Sequence, residues 1–71
     1  MDHLDRYDEL INILTEEVEI KGKKYLLKDE FERFYIKGVK ASGPRIRKIM
    51  QLLRKSAEDI RDNVQEYKKE L

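Results

Sequence analysis

The sequence predicts an all-α fold. We expect a helical hairpin with a long C-terminal coiled-coil helix, a short middle helix, and a connector at residues 18–27. Three observations predict it. Apolar residues recur at steps of four and three from Ile46 through Met50, Leu53, Ala57, Ile60, Val64 and Tyr67 to Leu71, an unbroken heptad pattern. A second helical stripe opens the chain, at Leu4, Tyr7, Ile11, Leu14 and Val18. One proline and three glycines in 71 residues argue against an extended disordered tail.

The first helix is expected over residues 3–18, with Leu10 and Ile13 widening its stripe. Asp2 can cap it, and Asp5, Asp8 and Glu9 suit the positive end of its dipole. The following segment, VEIKGKKYLL, places β-branched Val18 and Ile20 before Gly22, and Tyr25 and Leu27 after it. That pattern fits a small β-hairpin turning at Lys21–Gly22–Lys23 and an irregular connector equally well. Residues 28–37 read as a short helix. Asp29 and Glu30 stand near its start, Phe31, Phe34 and Tyr35 lie on one side, and Gly38 ends it in a left-handed conformation.

The long helix is expected from Gly43–Pro44 to Leu71, capped by Ser42 or Gly43. Proline suits the first helical position, whose N–H has no intrahelical partner. Ile49 and Leu52 broaden the stripe near its start. At ~1.5 Å per residue this helix is about 42 Å long, and the first helix covers only about 24 Å of it. The uncovered part of the seam formed by Ile46, Met50, Leu53, Ala57, Ile60, Val64 and Tyr67 calls for another surface, and a second copy supplies it economically. The chain is one small domain, so a homodimer also relieves the marginal core of a chain this short.

Composition narrows the chemistry. There is no cysteine, which excludes a disulfide framework and a thiolate metal site. No apolar run exceeds three residues, so no segment reads as a membrane span. The acidic start, MDHLDRYDEL, has no hydrophobic signal core, and a soluble cytoplasmic protein is expected. His3 is the single histidine and reads as a solvent residue. Ser42 and Ser56 lack a neighbouring base, and the pairs Glu16–Glu17 and Glu58–Asp59 point in different directions on a helix. We therefore expect no enzyme, metal, cofactor or small-molecule substrate.

Charge is strongly segregated. Residues 1–20 carry seven acids and one Arg, a balance of −6, whereas residues 33–55 carry eight Lys or Arg and no acid, a balance of +8. Such sorting speaks of partners or assembly. Arg45, Arg47 and Lys48 fall in the first turns of the long helix, with Lys37 and Lys40 just before it. A cation there faces the wrong end of the helix dipole and costs a few tenths of a kcal/mol up to ~1. A bound anion reverses that sign, and free N–H groups at Gly43–Ile46 would assist it. Phosphate is the natural candidate. Arg47, Arg54 and Arg61 recur every seven residues, as do Lys48 and Lys55, forming a basic ridge beside the apolar stripe. Arg54–Glu58 and Lys55–Asp59 are also spaced as solvated helix ion pairs. No zinc-finger ligands and no polar recognition helix are present, so contacts to nucleic acid are expected to be sequence-neutral, with DNA placed ahead of RNA. Tyr25, Phe31, Phe34 and Tyr35 fit either stacking on bases or packing between the short and long helices.

The stretch Gly38-Val39-Lys40-Ala41-Ser42-Gly43-Pro44-Arg45-Ile46-Arg47-Lys48, followed by a helix with Leu53, Lys55 and Ile60-Arg61, resembles the bacterial linker-histone-like nucleoid proteins known from chlamydiae. The likeness covers residues 33–71. Val39 and Pro44 stand where that family carries a polar and a hydroxyl residue. The resemblance implies a small helical, DNA-associated protein of the nucleoid. On it, Lys40, Arg45, Arg47 and Lys48 are DNA contacts, and Gly38 and Gly43 shape the turn. Lys37, Arg54 and Lys55 extend the expected basic site, and Pro44 completes the expected turn. The rival reading is a coiled-coil interaction protein whose +8 segment docks the −6 segment of the same or another copy.

Overall fold

Two antiparallel helices of unequal length form the frame. In a computed structural model, residues 3–71 are described; the expected cap, Asp2, lies outside them. Helix α1 spans His3–Thr15 and helix α3 spans Ser42–Lys68. Between them come strands β1 (Val18–Ile20) and β2 (Lys23–Tyr25), then helix α2 (Leu27–Phe31), which continues as a π-helical turn over Glu32–Ile36. The described part measures 49 × 19 × 17 Å, its length set by α3.

The 18–27 segment is a hairpin. β1 and β2 pair antiparallel, with Val18 opposite Tyr25, Glu19 opposite Lys24, and Ile20 opposite Lys23. The two turn residues, Lys21 and Gly22, both have positive φ, +51° and +81°. That is the two-residue turn whose twist matches the strands. The hairpin also shortens the first helix, which ends at Thr15 and not at Val18. Thr15 Oγ1 donates back to the Ile11 carbonyl and the Glu16 N–H closes on Asn12. Val18 and Ile20 then gain more from the ladder and from packing on the core than from another helical turn.

α3 begins earlier than expected and stops earlier. Ala41, not Ser42 or Gly43, holds the N-cap position and makes no side-chain cap bond, and Pro44 is the third helical residue, not the first. Proline is still tolerated there, because the opening N–H groups of a helix have no intrahelical partner. The preceding π turn ends at Ile36 with Lys37 as its C-cap, and the chain then turns at Gly38, whose φ of +70° is the left-handed conformation foreseen for it. The Lys37 N–H closes on the Glu32 carbonyl at 3.1 Å, one residue wider than an α-helical bond, as a π turn requires, and beyond it the Val39 N–H reaches back six residues to the Arg33 carbonyl at 2.8 Å.

The core lies at one end of the frame. Leu27, Ile46 and Ile49 are buried, and Ile13, Val18, Ile20 and Phe34 pack against them. Every element thus contributes at this end except β2. The distal half is a plain two-helix hairpin. At its far end the ring of His3 meets the Asn63 side chain at 3.3 Å and the Tyr67 ring edge-on at 4.8 Å.

Candidate nucleic-acid interface

The start of α3 is organised around an acid that the helix itself does not supply. Glu30 of α2 is 1% exposed. Ser42 Oγ donates to its Oε2 at 3.2 Å, and Arg45 Nη1 donates to its Oε1 at 3.1 Å. Arg33 lies 3.6 Å away and is half exposed. The Arg45 guanidinium also stacks over the Tyr25 ring, 4.4 Å from its centroid. The carboxylate therefore sits at the positive end of the α3 dipole and offsets the basic first turn from within the fold.

The backbone donors there are also engaged. The Ser42 N–H bonds the Val39 carbonyl and the Gly43 N–H bonds the Lys40 carbonyl, each at 3.1 Å. Pro44 has no N–H. This corrects the expectation of a free N–H at Gly43: a tight turn precedes the helix and supplies carbonyls to its first two donors. Gly43 is instead needed for close approach, since a Cβ there would lie 2.9 Å from Phe34 Cε1.

With the Ser42 and Gly43 N–H groups engaged, side chains are the main groups offered to an external anion. Lys37, Lys40, Arg47, Lys48 and Lys55 are exposed, and none has an ion-pair partner among the described residues. Arg45 is only partly available, because it holds Glu30. Arg54 pairs with Glu58 at 3.1 Å across open solvent, a contact that an anion can displace at little cost. Pro44 stands between two grooves. One, of about 410 Å³, is lined by Phe34, Tyr35, Lys40 and Arg47. The other, of about 660 Å³, lies between the β-hairpin and α3 and is lined by Lys21, Lys23, Tyr25, Arg45 and Lys48.

The four aromatics divide. Tyr25 lies under Arg45 and Phe34 lies against Gly43, both packing roles. Phe31 and Tyr35 stay exposed, Tyr35 at 69%. Among the seam residues, Ile46 is buried within the chain, and Leu53, Ala57 and Ile60 are half-buried. Met50, Val64 and Tyr67 are exposed. Glu30 and the hairpin lysines are absent from the sequence-based site. Glu30 carries a detectable signal: it falls on the Leu27–Phe34 stripe, where a lone carboxylate on an apolar face calls for a buried partner.

A family model described as histone H1-like protein Hc1 matches residues 8–70, from within α1 to beyond the end of α3. Comparison with curated proteins and with solved structures gave no match.

Proposed function

The chain belongs to the histone H1-like protein Hc1 family, and from that premise we propose that it is a nucleoid-associated protein binding duplex DNA through its phosphates, with little regard to sequence. The observation that carries this reading is the set of unpaired cations at one end of the molecule: Lys37 and Lys40 on the turn, and Arg47 and Lys48 on the first turns of α3. Arg54 and Lys55 continue the same ridge, each about two turns beyond Arg47 and Lys48 respectively. A fold that has already supplied Glu30 for its own needs has no internal use for these charges. Contacts of this kind position a protein on DNA and carry no base information.

The test is a titration of fluorescent duplex DNA at ~50 and ~200 mM salt. Wild-type affinity is expected to fall with a logarithmic slope of about 0.9 for each phosphate neutralised. Replacing Lys40, Arg47 and Lys48 together by Ala is expected to lower that slope by about 2.7, with helicity by circular dichroism unchanged. A slope equal to wild type removes these residues from the interface. Arg45 is left intact in this variant because its loss would also release Glu30.

The working unit in this reading is a dimer. Leu4, Tyr7 and Leu14 on α1 are exposed, as are Met50, Val64 and Tyr67 on α3 and Leu71 beyond it. Leu4 and Leu14 each follow by one residue, or 100° of rotation, a residue engaged with the fold, His3 and Ile13. Met50 and Val64 follow Ile49 and Asn63 in the same way. Because the helices are antiparallel, the same rotational step brings both stripes to one side of the hairpin. A face 49 Å long and 19 Å wide accommodates the roughly 800 Å² per partner that stable interfaces bury.

A further inference from the structure

We propose that the β-hairpin is a second DNA-contacting element, in which Lys21 and Lys23, with Lys48 of α3 across the groove, hold a stretch of phosphate backbone. The inference rests on the DNA-binding reading above and extends it to residues outside the basic segment.

Strand alternation sorts the two neighbouring lysines of β2 into opposite settings. Lys23 pairs with Ile20 and lines the groove toward α3, together with Tyr25, Arg45 and Lys48. Lys24 pairs with Glu19 and lines a different depression, with Glu17, Asp29, Glu30 and Arg33. One lysine thus faces cations and the next faces mostly carboxylates. In the first groove the lining includes four cations and a single acid, Glu19. Lys21, Lys23 and Lys48 are exposed and have no ion-pair partner among the described residues. Arg45 is fixed against Tyr25 and Glu30, so the floor of the groove is held in place while the lysines at its edge stay free to engage a ligand.

Lys21 adds a separate indication. It occupies a positive-φ turn position, where Asn is favoured and a lysine carries a steric penalty. A long cation stands where the backbone prefers a short polar residue. Such a cation at the hairpin tip projects over the groove edge it lines. The partner that fits three spaced ammonium groups around one groove is a polyanion. Given the DNA-binding reading, this is the second flank of the same duplex, with α3 seated between the groove of Lys40 and Arg47 and the groove of the hairpin.

The experiment compares full-length wild type, K21N/K23T, and K24T by the same fluorescent-duplex titration between ~50 and ~200 mM salt, with urea unfolding alongside. K21N/K23T is expected to lower the salt slope by about 1.8 and to weaken binding at ~50 mM salt at least tenfold. Its stability should be equal to or above wild type, because Asn and Thr suit the turn and the strand. K24T, the adjacent lysine on the other face, is expected to keep the wild-type slope. A wild-type slope in K21N/K23T, with wild type itself binding, overturns the hairpin assignment and leaves the DNA-binding reading standing. An equal loss in K24T also overturns it, since the effect would then be one of net charge. Wild type that does not bind duplex DNA at low salt overturns both.

Discussion

Glu30 decides how the basic end of the molecule is divided. A carboxylate 1% exposed must be fully partnered, and Ser42, Arg45 and Arg33 do this from two elements. Removing one member of a buried charge pair costs about 3–5 kcal/mol. Arg45 is 30% exposed and recovers some hydration when left alone, which favours the lower end of that range. Glu30→Ala is therefore expected to destabilise the fold by about 3 kcal/mol, read from the urea midpoint by circular dichroism. A loss below ~1 kcal/mol would show that the pair contributes no more than a surface ion pair. The same arrangement explains why Arg45 differs from its neighbours Arg47 and Lys48. It is spaced like them along the helix, yet its charge is already engaged.

At the level of elements, the turn between the π-helical segment and α3 carries the geometry. Gly38 at φ +70° lets the chain reverse, and Gly43 lets α3 approach the Phe34 ring. Nothing lies within 4 Å of a Cβ at Gly38, so substitution there meets no clash and reports the backbone alone. Gly38→Ala is expected to cost about 1 kcal/mol, the penalty of a left-handed non-glycine residue. A thermal melt unchanged within about 1 °C would exclude that penalty. Gly38 was legible from the sequence because a glycine after a helical stripe is a local signal. The π turn was not. Its wider closure depends on where Phe34 must sit against Gly43, a contact made only after the turn has formed. The hairpin could be read as one of two alternatives, since three-residue strands carry too short an alternation to decide between them.

At the scale of the whole molecule, the core is small. Among the described residues three apolar ones are buried, while two stripes remain open along one side of the hairpin. The heptad of α3 is real as a pattern, but the chain uses it in two ways. Its Ile46 side serves the internal core, and Met50 and Val64 stay exposed, on the face assigned to the dimer in the proposal above. Ile60 lies between buried Ser56 and Asn63, whose amide meets His3, so a charge at Ile60 would disturb the monomer as well. Val64 is 55% exposed and separates the two effects. Val64→Asp is expected to halve the mass in equilibrium sedimentation while helicity is retained, since burying an unpaired carboxylate in an interface is strongly unfavourable. An unchanged mass would rule out this face as the dimer contact.

The sequence by itself determined the helical frame, the family resemblance and the gathering of cations around residues 37–55. Each of these is written in spacing or composition: helical periodicity, a dipole and a run without acids are local properties of a chain. The tertiary structure alone decided what each charge does. It brought Glu30 to Arg45 across fifteen residues, set Lys23 and Lys24 in opposite surroundings, and chose which side of the heptad α1 covers. Those outcomes depend on how elements close on one another, because electrostatic partners and burial are set by distance in space, which the spacing of residues along a helix or strand does not contain.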